Sequence, residues 1–167
     1  MYYLIFALLA LLFIKMLILI APFVPVHSKD LDRIAFLVEK YQIKNLADLG
    51  SGNARVIKFL ANKFPDKYFT GLELAPTLFL YSKFRLNKIN NAKVKWGNVY
   101  FFDWTNYDGL FMFWRPQYFR RNIEKILMKV RQGQYIISYA FEIIELKSKE
   151  IEVSKAEKSL PIFIYRI

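Results

Sequence analysis

One local pattern restricts the possible folds more than any other: Ala47-Asp48-Leu49-Gly50-Ser51-Gly52-Asn53-Ala54-Arg55, followed by Gly71-Leu72-Glu73. It reads as a strand, a glycine turn, a helix and a second strand ending in a carboxylate. In parallel α/β proteins this layout holds a nucleoside. The glycines let a ligand reach the backbone, and the acid at the second strand end accepts hydrogen bonds from ribose hydroxyls. A dinucleotide fingerprint places a third glycine three residues after Gly52, but position 55 is Arg. The pattern therefore disfavours NAD or FAD.

The rest of the chain supports the same fold class. Helical periodicity predicts a helix from Ser28 or Asp30 to about Tyr41, one over Arg55–Lys63, one from Pro76 to about Ile89 and one over Pro116–Arg131. The intervening apolar runs predict strands at 45–49, 67–74, 93–96, 108–114 and 134–141, with a final pair at 150–154 and 161–165. Strands alternating with helices give a doubly wound, Rossmann-like sheet with helices on both faces.

The apolar content is unevenly spread. From Met1 to Val26 the only charged side chain is Lys15. The run is long enough for a bilayer core of roughly 30 Å, so residues 1–21 are expected to form a transmembrane anchor. A cleaved signal peptide and an interfacial helix are the alternatives. Residues 22–28 form a Pro-rich connector and 29–167 the folded domain. Lys29, Arg33, Lys40 and Lys44 follow the segment and nothing basic precedes it, which places the domain on the cytoplasmic side. All 14 acidic residues and 24 of the 25 basic ones lie beyond residue 28, leaving the domain at +10. That charge suits an anionic lipid surface. No nucleic-acid signature accompanies it, so no nucleic-acid partner is expected. With no cysteine, neither thiolate metal sites nor Cys-His catalysis is available, and the single histidine, His27, lies in the membrane-proximal connector, where an interfacial side chain is expected rather than a general base.

The Asp-x-Gly-x-Gly run with Glu73 resembles the cofactor motif of class I S-adenosylmethionine-dependent methyltransferases. Three further segments narrow the likeness: Pro22-Phe23-Val24-Pro25 beside the apolar run, Gly71-Leu72-Glu73-Leu74-Ala75-Pro76, and Leu80-Tyr81-Ser82-Lys83-Phe84-Arg85. Together they resemble the small membrane-anchored lysine methyltransferases that include those of the adenine nucleotide translocase and the ATP synthase c-subunit. The likeness spans about Pro22 to Phe141. It implies a seven-strand methyltransferase sheet, S-adenosyl-L-methionine as methyl donor and a protein lysine as acceptor. It also implies that Asp48, Gly50, Ser51, Gly52, Glu73, Leu74, Asn98 and Val99 hold the cofactor.

Three positions depart from the family pattern. Asn53 and Ala54 stand for Asp-Gly, and Asn98 stands for an Asp at the adenine end. Ala54 fits close backbone approach only with a negative φ. For the acceptor side, aromatic residues at strand ends can lower a lysine pKa by desolvation and hold a sulfonium. Trp114, Tyr118 and Tyr139 are the expected catalytic walls, with Trp104, Tyr107 and Phe141 as further candidates. A lipid or other membrane-soluble acceptor remains open, as does a binding domain without catalysis.

Overall fold

The structure is a computed structural model that describes residues 2–3, 5–7, 11 and 24–167. Its centre is a seven-stranded sheet in the order β3-β2-β1-β4-β5-β7-β6. The strands are β1 Asn45–Leu49, β2 Tyr68–Glu73, β3 Ala92–Trp96, β4 Gly109–Met112, β5 Tyr135–Tyr139, β6 Glu150–Ser154 and β7 Ile162–Arg166. The first five pair in parallel, whereas β7 runs antiparallel to both β5 and β6. Among the described residues from 24 onward, four α-helices accompany them: α1 Leu31–Lys40, α2 Arg55–Lys63, α3 Pro76–Arg85 and α4 Pro116–Leu127.

Side-chain alternation along each strand divides the core into two layers. Leu46, Phe69, Phe111, Ile137 and Tyr139 pack with Ile34, Leu37 and Val38 of α1 and with Val56, Ile57 and Leu60 of α2. Ala47, Leu49, Leu72, Leu110, Met112 and Ile136 face the other way, onto Phe119 and Ile126 of α4. Every residue of β4 is buried, as expected for an interior parallel strand covered on both faces.

The elements follow the sequence expectation with shortened ends. α3 stops at Arg85 rather than near Ile89, and α4 stops at Leu127 rather than Arg131. Pro76 and Pro116 each occupy the first turn of a helix, where a missing N–H leaves nothing unpaired. Between β3 and β4 the crossover holds only a single 3-10 turn, Val99–Phe101. Two further 3-10 segments are present among the described residues: Ser28–Asp30, leading into α1, and Ile144–Lys149, where the sequence pattern predicts no element.

Asp30 does not cap α1 with its side chain. It is fully buried, accepting from Arg33 Nη1 at 2.8 Å and from the Tyr139 hydroxyl at 2.7 Å. Burial alone raises its pKa, but hydrogen bonds from Tyr139, Arg33 and Ser159 outweigh it and leave the carboxyl below the ordinary carboxylate value. Arg33 also donates to the carbonyls of Ser154 and Leu160, fastening α1 to the β6–β7 end. Among the described residues no helix is long and apolar enough to cross a membrane. Most of the anchor expected over residues 1–21 lies outside the described residues.

Candidate active site

The carboxyl ends of β1 to β4 converge, and the sequence-predicted cofactor residues meet there. Gly50 (φ +92°), Gly52 (φ +53°) and Ala54 (φ +57°) form a turn with alternating left-handed residues. The negative φ that close backbone approach at Ala54 would require is not adopted. Ala54 adopts the left-handed conformation at a cost of about 1 kcal/mol or more, and its methyl is fully buried. Asn53 supports the bend: its Oδ1 accepts from the Arg55 N–H at 3.2 Å, the role that an Asp there would fill.

Glu73, at the end of β2, holds this turn in place. Its Oε2 accepts from the Gly52 N–H at 2.7 Å and its Oε1 from the Ala75 N–H at 2.8 Å. Each oxygen retains a lone pair for a further donor. Asp48 is also buried, and its carboxyl pKa is pushed up to about 8, first by burial and then by the neighbouring Glu73 charge. A buried carboxyl of this kind favours a cationic ligand, whose charge would restore the ionised form. Ser51 turns back onto β2. A Cβ at Gly71 would lie 2.5 Å from Ser51 Oγ, so only glycine fits there. The Ser51 hydroxyl itself has no hydrogen-bond partner.

Beside Glu73, Leu74 is largely exposed, and its carbonyl accepts from Trp96 Nε1 at 3.0 Å. Asn98 uses its Oδ1 to cap the 3-10 turn, accepting from the Tyr100 N–H at 3.0 Å. That leaves its amide N–H groups as the side chain's donors, where an Asp would offer only acceptors. The Val99 carbonyl accepts from Trp104 Nε1 at 2.8 Å.

An aromatic cluster flanks the glycine turn. Trp114 Nε1 donates to the Leu49 carbonyl at 2.7 Å, which pins the indole beneath the glycine turn. A Cβ at Gly50 would meet that same nitrogen at 3.6 Å. Tyr118 stands edge-on to Trp114 with centroids 5.0 Å apart and is 43% exposed. Tyr100 and Trp104 complete the cluster at 6.4 and 6.5 Å from Trp114. The Tyr100 hydroxyl is buried without a partner. Burial first, and then Tyr118, push the phenol above its ordinary pKa, so it stays protonated at neutral pH.

Tyr139 does not belong to this group. It points to the opposite face of the sheet, fully buried between Phe111 and Phe113, with its hydroxyl committed to Asp30. Tyrosine at that position is a core residue that ties β5 to the start of α1. Phe141 stacks on Phe113, also away from Trp114.

The sequence reading assigned no role to three residues that build the site. Ser82, fully buried in α3, donates to the Gly52 carbonyl at 2.8 Å, and Arg85 donates to the Asn53 carbonyl at 2.9 Å. Arg55 Nη1 donates to the Val26 carbonyl at 2.8 Å, joining the connector to the turn. The visible signal was a lone serine inside an apolar helix.

A sequence profile described as the ANTKMT methyltransferase domain matches residues 48–150, from Asp48 through the whole site. The chain belongs to the ANTKMT methyltransferase family. No curated protein matches it significantly. Solved structures share the fold at low identity. An RNA methyltransferase from Salinibacter ruber, in complex with S-adenosyl-L-homocysteine, is 17% identical with a TM-score of 0.75, over 86% of this chain and 94% of that one. An O-methyltransferase from Bacillus cereus, also with S-adenosylhomocysteine, is 14% identical with a TM-score of 0.65, covering 86% and 83%. The O-methyltransferase TomG from Streptomyces achromogenes, in complex with S-adenosylmethionine, is 11% identical with a TM-score of 0.67, covering 87% and 82%. At these identities they establish the fold of this ANTKMT-family domain and nothing about its acceptor. The sheet order with its antiparallel β7 is the seven-strand arrangement that the family resemblance implied.

Proposed function

We propose that this ANTKMT-family chain is an S-adenosylmethionine-dependent methyltransferase that modifies lysine on a membrane or membrane-associated protein. The observation that carries the reading is the contact between the two halves of the site. Trp114, the leading member of the aromatic wall, is hydrogen-bonded to the carbonyl just before the glycine turn.

The residues present fit the donor. Gly50, Gly52 and Ala54 curve the backbone into a cradle, Glu73 fixes that cradle, and Asp48 offers a buried carboxyl suited to a cationic amino acid end. Leu74, Asn98 and Val99 border the adenine end. When bound, S-adenosylmethionine supplies a methyl group on a positively charged sulfur.

The protein's own contribution is alignment, desolvation and exclusion of water. A lysine amine must be neutral to accept a methyl group, and at an ordinary pKa near 10.4 that costs roughly 4–5 kcal/mol at neutral pH. Trp114, Tyr118, Tyr100 and Trp104 give an apolar wall that lowers this cost. Their ring faces also favour a methylated ammonium. Tyr100 remains a phenol and acts as a hydrogen-bonding group rather than a base. Residues 1–21 would tether the domain beside membrane substrates, raising their effective concentration, with the domain on the cytoplasmic side.

The experiment is to incubate the full chain with tritiated methyl donor and membranes lacking the protein. Tritiated methyllysine in the acid hydrolysate of a protein band supports the reading. Label confined to the lipid extract assigns the acceptor to a membrane-soluble small molecule. Donor binding without any transfer assigns the chain to a binding role.

A further inference from the structure

Helix α3 is apolar on most sides, yet Ser82 is its only buried residue. A helix with that composition ordinarily lies inside a protein or against a membrane. Leu80, Tyr81 and Phe84 share one face at i, i+1 and i+4 and are 62%, 52% and 74% exposed. Trp96, 59% exposed, stands at the same sheet edge with its ring 6.4 Å from that of Phe79. Adjacent exposed large apolar side chains of this kind mark a contact surface.

Charge says what the surface meets. Between Ser51 and Tyr100 the chain has nine Lys or Arg and only Asp66 and Glu73 as acids, so this segment carries +7 of the protein's +11. Glu73 at the end of β2 is buried, and so is Lys67, which pairs with Glu39, so the surface of this segment carries eight cations and one acid. Lys83 is exposed on α3 and Lys88 lies just beyond it, while the Arg85 guanidinium lies over the Tyr81 ring at 5.8 Å. Aromatic and leucine side chains rimmed by cations are the composition of a membrane-interface face.

Position agrees. The apolar run of residues 1–26 enters the domain at Val26, whose carbonyl is held by Arg55. Arg55 follows the turn whose Asn53 carbonyl is held by Arg85, in the last turn of α3. The apolar N-terminal run and the exposed apolar face of α3 are thus joined through two arginines.

We propose that the outer face of α3, with Leu80, Tyr81 and Phe84 inserted and Lys83 and Lys88 at the rim, docks on an anionic lipid bilayer. The contact is independent of methyl transfer. It sets the domain with its β3 edge toward the membrane and keeps the glycine turn beside the lipid surface.

The chain has no cysteine, so a single nitroxide can be placed at will. Tyr81→Cys and Phe84→Cys alter exposed positions. Glu157→Cys, exposed between β6 and β7 at the opposite edge of the sheet, serves as the reference. The full chain is reconstituted in phosphatidylcholine–phosphatidylserine vesicles, in phosphatidylcholine vesicles and in detergent micelles. Collision with oxygen and with a water-soluble nickel chelate is then measured at each label.

In the anionic vesicles, labels 81 and 84 should gain oxygen access and lose nickel access several-fold relative to label 157. Lys83→Gln and Lys88→Gln should each shift the docked-to-undocked ratio about fivefold toward water. Equal nickel access at 84 and 157 in anionic vesicles would overturn the proposal. So would shielding of equal size in all three media, which would assign the face to a protein segment of this chain or of a second copy.

Discussion

Replacing Asp48 with asparagine should make the protein more stable above neutral pH and remove a slope from its pH–stability curve. The Asp48 carboxyl is buried at the end of β1, and its pKa is raised from 3.8 to about 8 by burial and by Glu73. A raised folded-state pKa means that the folded protein holds a proton which the unfolded chain has released. The associated stability is complete below the unfolded value near 4 and is lost progressively as pH rises toward about 8. One proton corresponds to about 1.4 kcal/mol per pH unit in that window. Between pH about 6 and 8 the wild type should therefore lose on the order of 2 kcal/mol through this group alone. Asp48→Asn keeps the shape, cannot ionise and should abolish that part of the slope. Urea denaturation of both proteins across the window measures it. Parallel curves for wild type and variant would refute the assignment of a neutral, buried Asp48.

Further outcomes follow from the same geometry. Donor binding near pH 7 should release a proton as the ligand's positive charge ionises Asp48, seen as a dependence of the calorimetric heat on the buffer's ionisation enthalpy. Ser82→Ala leaves the Gly52 carbonyl without its partner and should cost about 1–3 kcal/mol of stability together with weaker donor binding. Tyr139→Phe removes the bond to Asp30 and should destabilise by about 1–2 kcal/mol while leaving kcat within about twofold, whereas Trp114→Phe should lower kcat through the freed Leu49 carbonyl and a displaced ring. Ala54→Val places a branched side chain at φ +57° and should cost about 2 kcal/mol or more. Ala54→Gly should stay within about 1 kcal/mol of wild type, because relief of left-handed strain opposes loss of a buried methyl.

Much of the fold was legible because its signals are local. The apolar run of β4, the proline at the first turn of α3 and of α4, and the glycine turn after β1 each mark an element without reference to the rest of the chain. The cofactor side of the site was legible for the same reason, since it is built from turns that directly follow strands. The aromatic side was legible only in part. Trp114 and Tyr118 leave β4 together in sequence and stay together in space. Tyr139 also sits at a strand end, but strand parity sends it to the opposite face of the sheet. Parity relative to a neighbouring strand depends on register, which a lone sequence does not reveal. The φ of Ala54 was not legible, because it is set by the turn that the residue completes rather than by its own preference. Arg55, Ser82 and Arg85 work across 29 to 32 residues of sequence, beyond the reach of any periodicity.

On the proposed reading, the glycine turn, Asp48 and Glu73 form a donor site that this chain's departures from the family pattern at Asn53, Ala54 and Asn98 have not destroyed. Titration of the full chain with S-adenosylmethionine tests it most directly, with Asp48→Asn as the comparison. Saturable binding in about the micromolar range, weakened at least about tenfold in a variant that is still folded, is the result predicted. Absence of binding by the folded wild type, or equal binding by both proteins, would contradict it.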